Sequence, residues 1–284
     1  MNSKIIKYII IILLLPVVPL KATAQTGIYY STNGQLSSSL INQLYQDHRG
    51  FIWISTEFGL NKFDGTHFIH YKHIDNDSTS LINNHVRGVF EDSYRNLWIR
   101  CLGGLMLYHP ETDNFELIKI EGKEGRHVTN IMELHNGEVW GITTGDTIFR
   151  INLTQKVIEP IDEIKRKLRL KSFSSIYEDT RRNLWFISET QGLLCFNPKS
   201  EEIQHFKYPD IPENNISAIK EDQNGNLFIG TLTKGLCLYN WEKKVFQPIP
   251  YENKQDLPIK HLAFTEGKLL IGTDGKGIKA YNPA

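Results

Sequence analysis

The segment Asp47-His48-Arg49-Gly50-Phe51-Ile52-Trp53-Ile54-Ser55-Thr56, followed by Gly59-Leu60, returns five more times along the chain. The copies are Asp92 to Ile99 with Gly104-Leu105, Asn136 to Trp140, and Asp179 to Trp185 with Gly192-Leu193. Asp222 to Phe228 with Gly235-Leu236 and Glu266 to Thr273 with Gly277-Ile278 complete the series. Each reads as turn, strand, turn. Asp accepts a bond from a nearby backbone N–H, and Gly takes a positive φ without steric cost. The aromatic and β-branched residues between the turns suit a half-buried pleated sheet. The anchor positions Trp53, Trp98, Trp140, Trp185, Phe228 and Leu270 are spaced by 45, 42, 45, 43 and 42 residues.

A fixed period in the forties, with several strand signals in each unit, predicts a β-propeller of four-stranded blades. The expected fold is all-β: about six four-stranded blades, an incomplete seven-bladed ring. Repeat units begin near residues 40, 85, 127, 172, 215 and 258 and form one domain over 25–284, since each unit buries its faces only against its neighbours. Ile28 to Tyr30 is the candidate strand for closing the ring. The third unit is degenerate, with an Asn136-Gly137 hairpin and Asp146-Thr147 where Gly-Leu is expected. The charged run Asp162 to Lys171 is expected as a solvated loop, with a docking patch as the alternative.

Each unit opens with a short strand, as in His85-Val86-Arg87-Gly88-Val89 or Asn215-Ile216-Ser217-Ala218-Ile219. Apolar residues hold the second and fifth positions of each opening, and small or polar residues lie between them. In a propeller this first strand lines the central axis, where space is tight and water enters. The departures from small or neutral are His85, Arg87, Arg126, His127, Lys171, Lys260 and His261. If the opening strands start at one face, several of these gather at its mouth as candidates for a polar or anionic ligand. Solvated rim residues are the alternative.

Lys+Arg and Asp+Glu both number 32, so net charge is zero and broad attraction to nucleic acid is not expected. Lys4 and Lys7, the apolar run Tyr8 to Leu15 and Ala22-Thr23-Ala24 form a signal peptide over 1–24, with cleavage expected after Ala24. The mature chain is then exported, to the periplasm. Cys101, Cys195 and Cys237 lie in apolar, strand-like settings and read as buried thiols rather than a disulfide framework. There is no Gly-x-x-x-x-Gly-Lys-Ser/Thr loop, no His-Glu-x-x-His helix and no Gly-x-Ser-x-Gly elbow. Asp222 to Asn226 has half a calcium loop but occupies a hairpin slot, and the ten histidines lack metal-ligand spacing. No catalytic residue, metal site or cofactor is expected.

Leu44 to Gly65, and Ile219 through Asp222 to Thr231, resemble the repeats of two-component regulator propellers. These form the periplasmic sensor region of hybrid two-component histidine kinases. The resemblance covers about residues 27–284. It implies a sensor that binds oligosaccharides and works as a homodimer. In that family two seven-bladed propellers usually precede an immunoglobulin-like sandwich, a membrane span, a histidine kinase, and receiver and DNA-binding domains. This chain shows six repeats, with no span or kinase after them, so it resembles the N-terminal portion. Any membrane contact would come through that further span. The function expected is carbohydrate sensing without catalysis. A periplasmic interaction module without a small ligand is the alternative. A propeller-scaffold lyase or glycosidase is the third, and the lack of Asp or Glu in the opening strands weighs against it.

Overall fold

The computed structural model describes residues 30–120, 127–145, 147–169, 173–188, 191–250 and 257–283. The chain divides into Met1–Tyr30 and Ser31–Ala284, and the fold described is that of the second unit. Blade 1 comprises β1 (Ile41–Gln46), β2 (Ile52–Thr56), β3 (Gly59–Phe63) and β4 (Phe68–Tyr71). Blade 2 comprises β5 (Val86–Glu91), β6 (Leu97–Cys101), β7 (Gly104–His109) and β8 (Asn114–Ile120). Blade 3 comprises β9 (Val128–Glu133), β10 (Val139–Thr143), β11 (Thr147–Asn152) and β12 (Val157–Pro160). Blade 4 has β13 (Phe173–Glu178), β14 (Leu184–Ser188), β15 (Gly192–Phe196) and β16 (Ile203–Phe206), and blade 5 has β17 (Ile216–Glu221), β18 (Leu227–Thr231), β19 (Leu236–Asn240) and β20 (Val245–Pro248). The last blade has three strands, β21 (Ile259–Thr265), β22 (Lys268–Thr273) and β23 (Ile278–Tyr281).

Within every blade, sequential strands pair antiparallel. The expected all-β propeller architecture is present, among the described residues as five four-stranded blades and a sixth of three strands. Blades 2 and 3 are further joined into one eight-stranded sheet. Their outer strands β8 and β12 run parallel, with Val157 opposite Lys119. The closing-strand residues Ile28 and Tyr29, and the signal segment, lie outside the described residues.

The core is a series of apolar layers between blades. Trp53 packs with Val86, Val89 and Tyr108 of blade 2, and Trp98 with Val128, Ile131 and Phe149 of blade 3. Trp140 meets Phe173, Phe186 and Phe196 of blade 4; Trp185 meets Ile216, Ile229 and Tyr239 of blade 5; Phe228 meets Ile259 and Leu269 of blade 6. Each anchor therefore faces the following blade, which is why the apolar positions of the opening strands recur in register with it. The second strands of blades 3, 4 and 5 are buried on both faces, and that explains their continuous apolar runs.

The opening strands carry a common irregularity. Pairing with the second strand shifts register between Ile41 and Gln43, Val86 and Gly88, Phe173 and Ser175, Ile216 and Ala218, and Ile259 and His261. The bulged residue is often a hydroxyl side chain that bonds back to the second strand. Ser217 Oγ donates to the Gly230 carbonyl at 3.1 Å, and Thr129 Oγ1 to that of Ile142 at 3.2 Å. Small polar residues thus serve the bulge itself.

The run expected as a solvated loop is instead helical over Asp162–Leu168 (α1). Asp162 and Glu163 occupy its first turn and Lys165, Arg166 and Lys167 its last, matching the helix dipole. Leu168 is buried beside Trp140 and Phe196, with Ile161 and Ile164 packed on the same cluster. Arg169 caps the end in the left-handed region at φ 48°. The apolar spacing of Ile161, Ile164 and Leu168 overrides the charge around it. All three cysteines are buried free thiols, as expected.

Candidate functional site

The five mouth candidates among the described residues, His85, Arg87, His127, Lys260 and His261, sit at or near the starts of the opening strands. The carbonyl of His85 accepts the N–H of Leu102, that of His127 the N–H of Thr144, and that of Pro258 the N–H of Asp274. The starts of these strands therefore share one edge with the turns between second and third strands. His85 Nδ1 lies 2.8 Å from Glu57 Oε2 of blade 1, and the N–H of Gly103 in blade 2 donates to His127 Nδ1 at 2.7 Å. Both histidines tie neighbouring blades together. Lys260 pairs with Asp274 of its own blade at 3.3 Å, and Lys260 and His261 are both exposed. Arg126 and Lys171 lie outside the described residues. Arg87 has a buried Nε with no hydrogen-bond partner.

Sequence reasoning passed over Arg100, which stands beside Arg87. It lies opposite Gly88 across the β5–β6 ladder and donates through Nη1 to the Thr129 carbonyl of blade 3. Its Nε is also buried and unpartnered. Burial, and then the charge of Arg87, pull its pKa down to about 10. Gln43 and Asn130 reach across blades at a shared repeat position. Gln43 Oε1 accepts the Val89 N–H at 2.8 Å and Asn130 Oδ1 that of Ile176 at 3.2 Å. The readable signal for Arg100 was a charged residue in a strand otherwise buried on both faces.

A second candidate lies between blades 3 and 4. A groove of about 560 Å³ is walled by Leu134, Trp140, Ile164, Leu184 and Phe196, with Glu138, Glu178, Arg182 and Lys199 among its polar lining. It follows from the degenerate third repeat. Leu134 occupies the position that Asp holds in blades 1, 2, 4 and 5, so the Trp140 indole N–H turns to Glu138 Oε2 at 3.2 Å. Nearby, Lys167 Nζ sits 5.4 Å from the Phe196 ring centroid and 2.7 Å from Glu201. An apolar, aromatic wall with a charged border can hold a ligand that has one apolar face and several hydrogen-bonding edges. Leu134 and Glu138, two departures from the repeat, were the sequence signal for it.

Residues 35–58 and 210–233 match the sequence model of the two component regulator propeller. No curated protein sequence matches the chain. Among solved structures, the chain is similar to the extracellular domain of BT3049 of B. thetaiotaomicron, assigned to a hybrid two component system. Identity is 27% and the TM-score 0.75, over 90% of this chain and 35% of that one. The extracellular domain of BT4673 from the same organism, assigned to a one component system, aligns at 20% identity and TM-score 0.70, over 86% of this chain and 36% of that one. The chain thus spans about a third of the length of these two structures. Virginiamycin B lyase from Staphylococcus aureus, in an inactive form with quinupristin, aligns at 16% identity and TM-score 0.60, over 89% of this chain and 87% of that one, a likeness of fold.

Proposed function

We propose that this chain is the ligand-sensing propeller of a two-component signalling protein and that it binds an oligosaccharide outside the cytoplasm without catalysing a reaction on it. The observation that carries this reading is the 27% identity maintained over 90% of the chain with the extracellular domain of a hybrid two component system. The repeat matches at residues 35–58 and 210–233 support the same reading. A leader over 1–24, cleaved after Ala24, would deliver the chain to the periplasm.

Two surfaces suit a sugar. The groove beside Trp140 and Phe196 offers aromatic edges for the apolar face of a ring, and charged groups that can bond its hydroxyls. The edge bearing His85, Arg87, Lys260 and His261 offers cationic and imidazole donors. Binding there would act on the relation between two copies of the chain in a homodimer. The lyase resemblance is one of fold, and the opening strands carry no Asp or Glu ahead of the hairpin edge to act as a carboxylate pair at the mouth.

The test is calorimetric titration of the full chain with neutral and acidic oligosaccharides, with product sizes followed by chromatography. Saturable binding of an oligosaccharide that stays intact is expected, weakened at least about tenfold by Trp140→Ala if the groove is the site. Shortening of the oligosaccharide by the wild-type chain would turn the assignment toward a lyase. Absence of binding at millimolar concentration would favour an interaction module.

A further inference from the structure

Six residues occupy the register position opposite the fourth residue of the opening strands: Ser55, Arg100, Ile142, Ile187, Gly230 and Gly272. Only Arg100 is charged. Its partner across the ladder is Gly88, and this pairing is what admits it. A Cβ built at Gly88 would stand 2.4 Å from Arg100 Nη2 and 2.0 Å from Gln43 Oε1. The guanidinium therefore occupies space that a side chain at position 88 would fill. One end of it donates to the Thr129 carbonyl of β9. The other lies beside Gln43 of β1. One side chain thus reaches the opening strands of three successive blades.

Arg87, adjacent to Gly88 and at the bulge of β5, brings a second guanidinium to the same place. Both Nε atoms are buried without a hydrogen-bond partner, and among the described residues no carboxylate pairs with either arginine. A neutral acceptor beside them, Gln43 Oε1, is already engaged by the Val89 N–H. A buried guanidinium with a second, half-buried one beside it and no counter-charge is costly. Arginine does not escape the cost by losing its proton near neutrality. What relieves it is an anion, and the planar donors of two guanidinium groups suit the oxygens of one.

We propose that Arg87 and Arg100 form an oxyanion site between the opening strands of the first three blades, taking a carboxylate, sulfate or phosphate group. The proposal is independent of the groove beside Trp140, where a bound neutral sugar would not touch these residues, and it deepens the oligosaccharide reading only at the edge that bears Arg87.

The experiment is a titration of the full chain with sodium sulfate and with sodium glucuronate. Melting temperature and heat of binding are measured against sodium chloride at equal ionic strength, since sulfate also stabilises folded proteins by exclusion. A saturable response to sulfate or glucuronate above the chloride baseline is expected. Arg87→Gln, which removes a side chain with no protein hydrogen bond, should weaken it at least about tenfold. Gly88→Ala, which displaces the Arg100 guanidinium while keeping both charges, should do the same. Without added anion, Arg87→Gln should melt higher than the wild type, because it relieves the repulsion. If a glucuronate oligomer binds more tightly than sulfate and with the same dependence on Arg87, the anion is carried by a saccharide. If sulfate saturates and the oligomer does not compete, the site holds a free ion. A response of equal size in the wild type and both variants overturns the site, as does the lack of any saturable response. Neutral-oligosaccharide binding that is lost in Trp140→Ala and kept in Arg87→Gln would place the sugar in the groove and leave the anion site to be decided by the sulfate titration alone.

Discussion

The indole N–H of Trp185 donates to Asp179 Oδ2 at 2.7 Å, across six residues of sequence. The other oxygen of the same carboxylate accepts the backbone N–H groups of Arg181 and Asn183, both at 2.9 Å. Asp92 and Trp98 repeat the arrangement, as do Asp47 and Trp53, with indole bonds of 2.9 Å. One buried carboxylate thus shapes the hairpin and fixes the large side chain that fills the space before the next blade. That double duty explains why Asp and Trp recur together at a fixed spacing.

Asp179→Ala is therefore expected to cost about 3 kcal/mol, because it strands the indole N–H and two backbone donors in a buried setting. Asp222 offers a control within the same chain. Its anchor is Phe228, which has no N–H, and its second oxygen takes only the Asn226 amide at 2.8 Å. Asp222→Ala, which strands the backbone donors of Asn224 and Asn226 but no indole, should cost about 2 kcal/mol. Urea unfolding of the two variants checks the order. Equal losses would show that the indole bond contributes nothing.

A second carboxylate joins one blade to the next. Glu221 of blade 5 accepts the Thr180 backbone N–H and hydroxyl of blade 4, both at 2.7 Å, and Arg181 lies 3.5 Å away. Glu178 holds His135 in the same way, with both contacts at 2.8 Å, and Glu91 and Glu133 hold His48 and Ser93. In the last blade Phe264 takes this position and meets Phe228 at 5.7 Å between centroids. Glu221→Ala should cost about 2 kcal/mol, since it leaves a backbone donor unmatched at the interface. Hydrogen exchange should quicken in the hairpins of blades 4 and 5 and leave blades 1 and 2 unchanged. Uniform quickening along the chain would contradict a local tie.

The repeat made most of this architecture legible. Trp anchors, Asp turns and Gly-Leu pairs are local signals, and each reports a strand or reversal within a few residues. What the sequence concealed depends on partners far along the chain. The acid at the end of the opening strand reads as an edge charge until the neighbouring blade supplies its donors. Arg100 reads as one polar residue in a strand until the ladder places Gly88 opposite it. The parallel pairing of β8 with β12, which joins two blades, has no local signature at all. The helix was missed for another reason: five basic residues between Lys165 and Lys171 drew the reading toward solvent, although Ile161, Ile164 and Leu168 already marked one face. The groove beside Trp140 was visible only as a defect of the third repeat.

The thiols give a test of packing in each of three blades. Burial pushes Cys101, Cys195 and Cys237 up to about 12. Since the thiolate is the reactive form, none should react with a disulfide reagent near pH 8 in the folded chain. All three should react once denaturant is added. Reaction at Cys237 alone under native conditions would show that blade 5 opens independently of the rest, because its thiol lies in the layer shared with Trp185.

The first and last blades present apolar faces that their counterparts elsewhere conceal. Leu44 is 63% exposed, whereas Val89 at the same repeat position is 2% exposed. Ile278 is 76% exposed, whereas Leu105 at its repeat position is fully buried. In the interior layers, residues of these two kinds meet: Leu60 of blade 1 lies in one cluster with Val86 and Val89 of blade 2. The face bearing Ile278 thus has the same residue types as those that cover an opening strand, and Leu44 lies on an opening strand. Two copies of the chain can join head to tail through them, a heterologous contact of the kind that need not close. Sedimentation velocity should show association that grows with concentration, and Leu44→Gln or Ile278→Thr should each reduce it without lowering stability. Val89→Ala, its equivalent within the core, should instead cost about 2 kcal/mol and leave association unchanged. A chain that sediments as a monomer at every concentration, or variants that associate as the wild type does, would show that these faces do not bind one another.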